Sequence, residues 1–133
     1  MANSGLGDSI LATIKKMLGL EDNYSPFDSE IIVYINSALM TLQQLNVGPK
    51  EGFAIKDYSE KWSDFLTNAV NLNGVQQYIA YRVRIGFDPP NNASVLSSLK
   101  EQCAELEWRL NVQSESVEEF DFVKDDTYLS RKH

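Results

Sequence analysis

Apolar residues recur at three- and four-residue intervals along much of this chain, and the gaps between those runs divide it. The most regular run is Ile31, Ile35, Ala38, Leu42 and Leu45, broadened by Ile32 and Leu39. It predicts an amphipathic helix over about 26–45, opened by Ser25-Pro26 or Asp28. A shorter run, Ile10, Leu11, Ile14, Met17 and Leu18, predicts a helix over 9–18, capped by Asp8 or Ser9 and stopped at Gly19. Lys15 and Lys16 fall outside that stripe and read as a solvated face. From Ser59 a third, shorter helix is expected on Tyr58, Trp62, Phe65, Leu66 and Ala69. Residues 71–74, Asn-Leu-Asn-Gly, break it.

The stretch 75–87 is apolar over most of its circumference. Val75, Tyr78, Ile79 and Val83 share one side, Tyr81 and Ile85 widen it, and Ala80 and Phe87 lie well round the cylinder. Such a helix packs from more than one direction, which makes it the central one. Asp88-Pro89-Pro90 ends it, because prolines bring no amide donor and push the preceding residue out of the α region. A last helix over 93–111 carries Leu96, Leu99, Cys103, Leu106 and Leu110.

Two segments lack a helical period. Residues 46–57 hold two glycines and a proline and read as a long loop, with 52–55 extended. Asn36 and Ser37 lie off the stripe of their helix and have no assigned role. Beyond Val112 the stripe fails, and Glu118 to Val123 alternates charge with apolar side chains, which suits a strand or extended arm. The expected organisation is therefore all-α: a small bundle of four to five helices with a long central helix, residues 1–112, and an extended acidic C-terminal arm, residues 113–133.

Several residues do not fit a simple core. Arg82 sits in the apolar side of the central helix. Either it lays its stem on the core and reaches water, or it pairs with a carboxylate. Glu107 borders the leucine stripe; either it pairs with Arg82 across two packed helices or it is an exposed i,i+4 partner of a nearby residue. Trp108 lies off that stripe, so its face packs against the first helix, the arm or another subunit. Glu105 is opposite the stripe and solvated, and Cys103 reads as a small buried hydrophobe.

Composition narrows the chemistry. The 133 residues carry a net charge of −7, and the isoelectric point is near 4.6. That argues against a surface built to neutralise phosphates. One cysteine and one histidine, at position 133, leave no basis for a disulfide, a cysteine metal cluster or a histidine-based active site. No glycine-rich phosphate loop or nucleophile elbow occurs. No apolar run reaches the roughly 20 residues of a membrane span, and MANSGLGDS lacks signal-peptide features. A cytoplasmic, non-enzymatic protein without cofactor or metal is expected.

The segments FDSEIIVYINSALMTLQQLNVGPKEGFAI, YIAYRVRIGFDPP and ELEWRLNV, with the Trp62 helix between the first two, resemble the head–tail connector (adaptor or head-completion) proteins of long-tailed double-stranded-DNA phages. Phe87 to Pro90 and Glu105 to Asn111 are the most specific parts, and the resemblance covers about 8–112. It implies a small helical bundle that forms a homo-oligomeric ring, commonly dodecameric, beneath the portal protein. The ring extends the DNA channel, offers a platform to the stopper or tail-completion protein, and has no catalytic residues to carry over. The location implied is the virion neck, after synthesis in the host cytoplasm. An acidic chain suits a channel through which DNA slides without being gripped. The structural or interface candidates are Arg82, Asp88, Pro89, Pro90, Glu107, Trp108 and Arg109. The acidic and aromatic composition of the arm, Glu118, Glu119, Phe120, Asp121, Phe122 and Tyr128, suits docking on the portal or a neighbour. The competing reading is a small acidic helical module that regulates a bacterial or prophage partner.

Overall fold

Ser9 turns its hydroxyl onto the first turn of a helix, accepting from the Ala12 amide at 3.2 Å, and so opens α1, Ile10–Met17. Four more helices follow: α2, Asp28–Gln44; α3, Trp62–Phe65; α4, Leu72–Phe87; and α5, Ala93–Lys124. The structure, a computed structural model, describes the backbone of residues 5–124 and the side chains of residues 5–114. Among the described residues there is no strand, and the all-α expectation holds. One antiparallel bridge, Ser9 with Lys61, ties the segment before α1 to the segment before α3.

The central helix is where the apolar pattern puts it. α4 packs on α1, α2 and α5, and Val75, Tyr78, Ile79, Ala80 and Val83 are all buried. It starts three residues earlier than expected, because Leu72 is itself a core residue. Burial of that side chain outweighs the turn preference of Asn71, Asn73 and Gly74, and Gly74 faces Leu110 of α5. At the other end the Asp88 amide donates to the Arg84 carbonyl at 2.9 Å, and Pro89 stops the helix. Near that end α2 and α4 approach closely: a Cβ on Gly86 would lie 2.5 Å from the Tyr34 ring.

The third helix is a correction. Instead of a helix reaching Ala69, α3 is a single turn, and Leu66 already has extended backbone (φ −116°, ψ 142°). The Asn68 side chain accepts from the Val70 amide at 2.9 Å, a local bond that competes with helical pairing. Trp62, Phe65 and Leu66 are buried even so. The Trp62 indole N–H donates to Thr13 Oγ1 at 3.0 Å, so its polar edge is satisfied inside the core.

The loop after α2 is held from within. Val47 and Ile55 are buried, and the segment 52–55, expected to be extended, forms no strand and is held by a side chain instead. Asn36 Nδ2 donates to the Ile55 carbonyl at 3.0 Å while Asn36 Oδ1 accepts from the Ile55 amide at 2.8 Å. Asn36, unassigned from sequence, is thus the clamp of this loop. Gly48 (φ +91°) is required here twice over, by its left-handed backbone and by the Phe65 ring occupying the space of a Cβ.

α5 runs well past the expected end at 111. Its 32 residues contain neither glycine nor proline, and Glu118 to Val123, expected to be extended, continue the helix. Beyond Leu110 it is anchored on the end of α2. Asn111 Nδ2 donates to the Leu45 carbonyl at 3.3 Å and the Ser114 hydroxyl donates to the Asn46 carbonyl at 2.7 Å, serving carbonyls orphaned at a helix terminus. Of the leucine stripe, Cys103 and Leu110 are buried and Leu106 packs partly on the core. Leu96 and Leu99 are only half-buried. The boundary at 112/113 falls inside α5, and residues 125–133, with Tyr128, lie outside the described residues.

Candidate functional site

Polar groups gather at one seam of the bundle, where α2, α4 and α5 meet. Spacing of four on α4 stacks Tyr78 and Arg82 on one face. The guanidinium lies 5.6 Å from the Tyr78 ring centroid. Arg82 Nη1 donates to the Tyr78 hydroxyl at 2.6 Å and to Thr41 Oγ1 at 3.1 Å, and Nη2 donates to Ser37 Oγ at 3.1 Å. The Tyr78 hydroxyl in turn donates to Glu107 Oε2 at 2.6 Å.

Arg82 and Glu107 are therefore brought to one network, but not as the direct ion pair that is one of the two readings of the sequence. Among the described residues the ion pairs are Lys15–Asp28, Lys56–Glu60 and Arg109–Glu105. A buried phenol stands between the two charges, as acceptor toward one and donor toward the other. Tyr78 has 0% exposure. Burial, and then its bond to Glu107, push its pKa well above the ordinary tyrosine value, against the opposing pull of Arg82. Tyr78 stays a neutral hydroxyl that ties α4 to α5, while Arg82 ties α4 to α2. Ser37, unassigned from sequence, is one of its anchors.

The second polar centre was not legible. Lys15, expected on a solvated face, has 0% exposure. Its ammonium contacts Asp28 Oδ1 at 2.8 Å and donates to the Asp22 carbonyl (3.2 Å), the Tyr24 carbonyl (2.7 Å) and the Tyr58 hydroxyl. Burial by itself lowers its pKa, but Asp28 and Tyr58 more than offset that, and the net shift is upward. The Tyr58 hydroxyl lies within hydrogen-bond reach of the Asp22 carbonyl (3.0 Å) and Asp28 Oδ2 (3.1 Å). Four chain segments are thus pinned on one cation: α1, the connector to α2, the start of α2 and the loop before α3. Position 15 falls outside the apolar stripe of α1, so only acceptors distant in sequence could have marked it.

The remaining candidates sit at the surface. Asp88 caps α4, and Pro89 and Pro90 form the corner into α5. Arg109 Nη2 pairs with Glu105 at 2.7 Å on the exposed side of α5. Trp108 is 67% exposed, with Val112 beside that face; no described element covers it. On α2, Val33 and Met40 are 63% and 60% exposed. Cys103 is buried, and burial raises its thiol pKa, which leaves it protonated. The side chains of Glu118, Glu119, Phe120, Asp121 and Phe122 lie outside the described residues. Among the described residues no group of three or more His, Cys, Asp or Glu gathers as a metal site, and no helix is long and apolar enough to cross a membrane.

The described residues form a helical bundle whose polar groups bond one another across helices and which leaves large apolar side chains exposed on α2 and α5. A family model described as phage connector protein matches residues 10–117, from the first residue of α1 into α5. The chain belongs to the phage connector proteins, a structural family of the virion neck whose members associate with other head and tail proteins. No curated protein and no solved structure matches it.

Proposed function

We propose that this chain forms a homo-oligomeric ring, with twelve copies as the working number, between the portal and the stopper or tail-completion protein. The ring extends the DNA channel and joins head to tail. It performs no catalysis and holds no cofactor, and it is made in the host cytoplasm before joining the neck. The observation that carries this reading, beyond family membership, is the presence of two uncovered apolar faces on one subunit. One is Val33 and Met40 on α2; the other is Trp108 and Val112 on α5. A subunit of a closed head-to-tail ring needs two different faces, one for each neighbour. The net charge of −7 suits a channel that lets DNA pass without holding its phosphates.

In this reading Asp88, Pro89 and Pro90 set the corner that aims α5, and the face of Trp108 and Arg109 meets a neighbour. The segment 113–133, with Glu118 to Phe122 and Tyr128, reaches the portal or the adjacent copy. Electron microscopy of the chain mixed with its portal tests this. The expected image is a ring seated coaxially on the portal. A chain that stays monomeric in light scattering at every concentration, alone and with the portal, overturns the ring and leaves the small regulatory module as the better account.

A further inference from the structure

A cleft of about 840 Å³ opens between the α1–α2 connector and the end of α4. Its floor is aromatic. Phe27 stacks edge-on against Phe87 at 5.2 Å between centroids, and Tyr24 lies 5.9 Å from Phe27. Tyr24 and Phe27 are among the exposed large hydrophobics of the bundle. Glu21, Glu30 and Asp88 also line it, and none of the lining residues is basic. The connector that forms one wall is held in place by Lys15, which grips the Asp22 and Tyr24 carbonyls, and that cation is already neutralised by Asp28. The cleft therefore joins an aromatic cluster to acidic lining residues, which suits an aromatic or aliphatic side chain followed by basic ones.

The chain carries such a segment: Tyr128-Leu129-Ser130-Arg131-Lys132. Arg131 and Lys132 are the only adjacent basic residues apart from Lys15 and Lys16 of α1. Tyr128, the aromatic end of the segment, cannot reach the Asp88 side of the cleft in its own subunit. α5 spans about 46 Å from Ala93 to Lys124, and the five-residue step from Asp88 to Ala93 recovers at most roughly 18 Å of it. Lys124 thus lies at least about 28 Å from Asp88, whereas Tyr128 can extend only about 14 Å past Lys124. A second copy is not bound by that limit. We infer that the cleft of Tyr24, Phe27 and Phe87 receives the segment 128–132 of a neighbouring copy. Tyr128 or Leu129 seats on the aromatic floor, and Arg131 and Lys132 face Glu21, Glu30 and Asp88.

The inference rests on the reading that copies of this chain assemble side by side, but its test does not require assembly. A fluorescein-labelled peptide of residues 124–133 is titrated into the full chain at low salt and followed by anisotropy. Saturable binding is expected, weakening as salt rises. It is expected to fall at least tenfold with Phe27→Ala, and likewise with Glu21→Lys combined with Glu30→Lys, whose exposed positions leave the fold unchanged by circular dichroism. A peptide carrying Arg131→Glu and Lys132→Glu should then prefer the double-lysine variant over the unaltered chain. No saturation at about 1 mM protein, or the same affinity for all these variants, overturns the inference. A chain that never assembles on a portal overturns the ring and leaves this titration as it is.

Discussion

Tyr78 shows how one hydroxyl decides the state of a polar seam. It accepts from Arg82 and donates to Glu107, so removing it strands two charged groups that are partly shielded from water. Tyr78→Phe is expected to cost about 1–3 kcal/mol at neutral pH, measured by urea denaturation. The pH dependence has a definite sign. The folded pKa lies above the unfolded value of about 10, so the neutral hydroxyl is the form the fold favours. Its contribution is intact below about pH 10 and is lost as pH rises beyond that. The unaltered chain should therefore lose more stability than Tyr78→Phe on moving from neutral pH into that range. Lys15, whose pKa is also raised, titrates alike in both proteins and cancels in the comparison. Parallel pH profiles for the two would show that the hydroxyl is not coupled to folding. From sequence, Arg82 and Glu107 could be matched by charge and helix face; the phenol between them could not, because Tyr78 reads as a core aromatic.

Among the elements, α2 and α4 were the most legible and α3 the least. A stripe such as Ile31, Ile35, Ala38 and Leu42 repeats often enough to outweigh local preferences, and all four are buried. The one-turn α3 rests on few residues, and there the Asn68 turn and extended Leu66 prevail. The contact of α2 with α4 makes a sharp prediction at Gly86. Alanine is the better helix former by about 1 kcal/mol, yet its Cβ would meet the Tyr34 ring at 2.5 Å. Gly86→Ala is expected to lower stability by about 1–3 kcal/mol. Adding Tyr34→Ala should make the double variant less destabilised than the two single losses together. A Gly86→Ala protein with a raised melting temperature would mean that the two helices can part at no cost.

For the whole molecule, the telling quantity is apolar surface left uncovered after the core has closed. Trp108 is left largely exposed by the described residues, and it lies within the most specific segment of the family resemblance. Trp108→Ala should change the stability of the single chain by no more than about 0.5 kcal/mol. The same change should weaken ring formation on the portal tenfold or more, as truncation of a buried aromatic anchor does. Light scattering of portal mixtures measures the second effect and thermal unfolding the first. Unchanged assembly would take Trp108 out of the subunit interface.

Periodicity alone determined the helical class, the central position of α4 and the stop at Pro89, because each rests on short-range geometry: 3.6 residues per turn, and a proline without an amide. The charge and the scarcity of His and Cys were equally local facts. What the tertiary structure decided were the polar contacts between distant segments. Lys15 is buried because two carbonyls, Asp28 and Tyr58 converge on it, and Asn36 matters because Ile55 arrives beside it. α5 continues past residue 111 because Asn111 and Ser114 find the end of α2. A polar side chain is worth what its partners make it, and those partners are set by the fold.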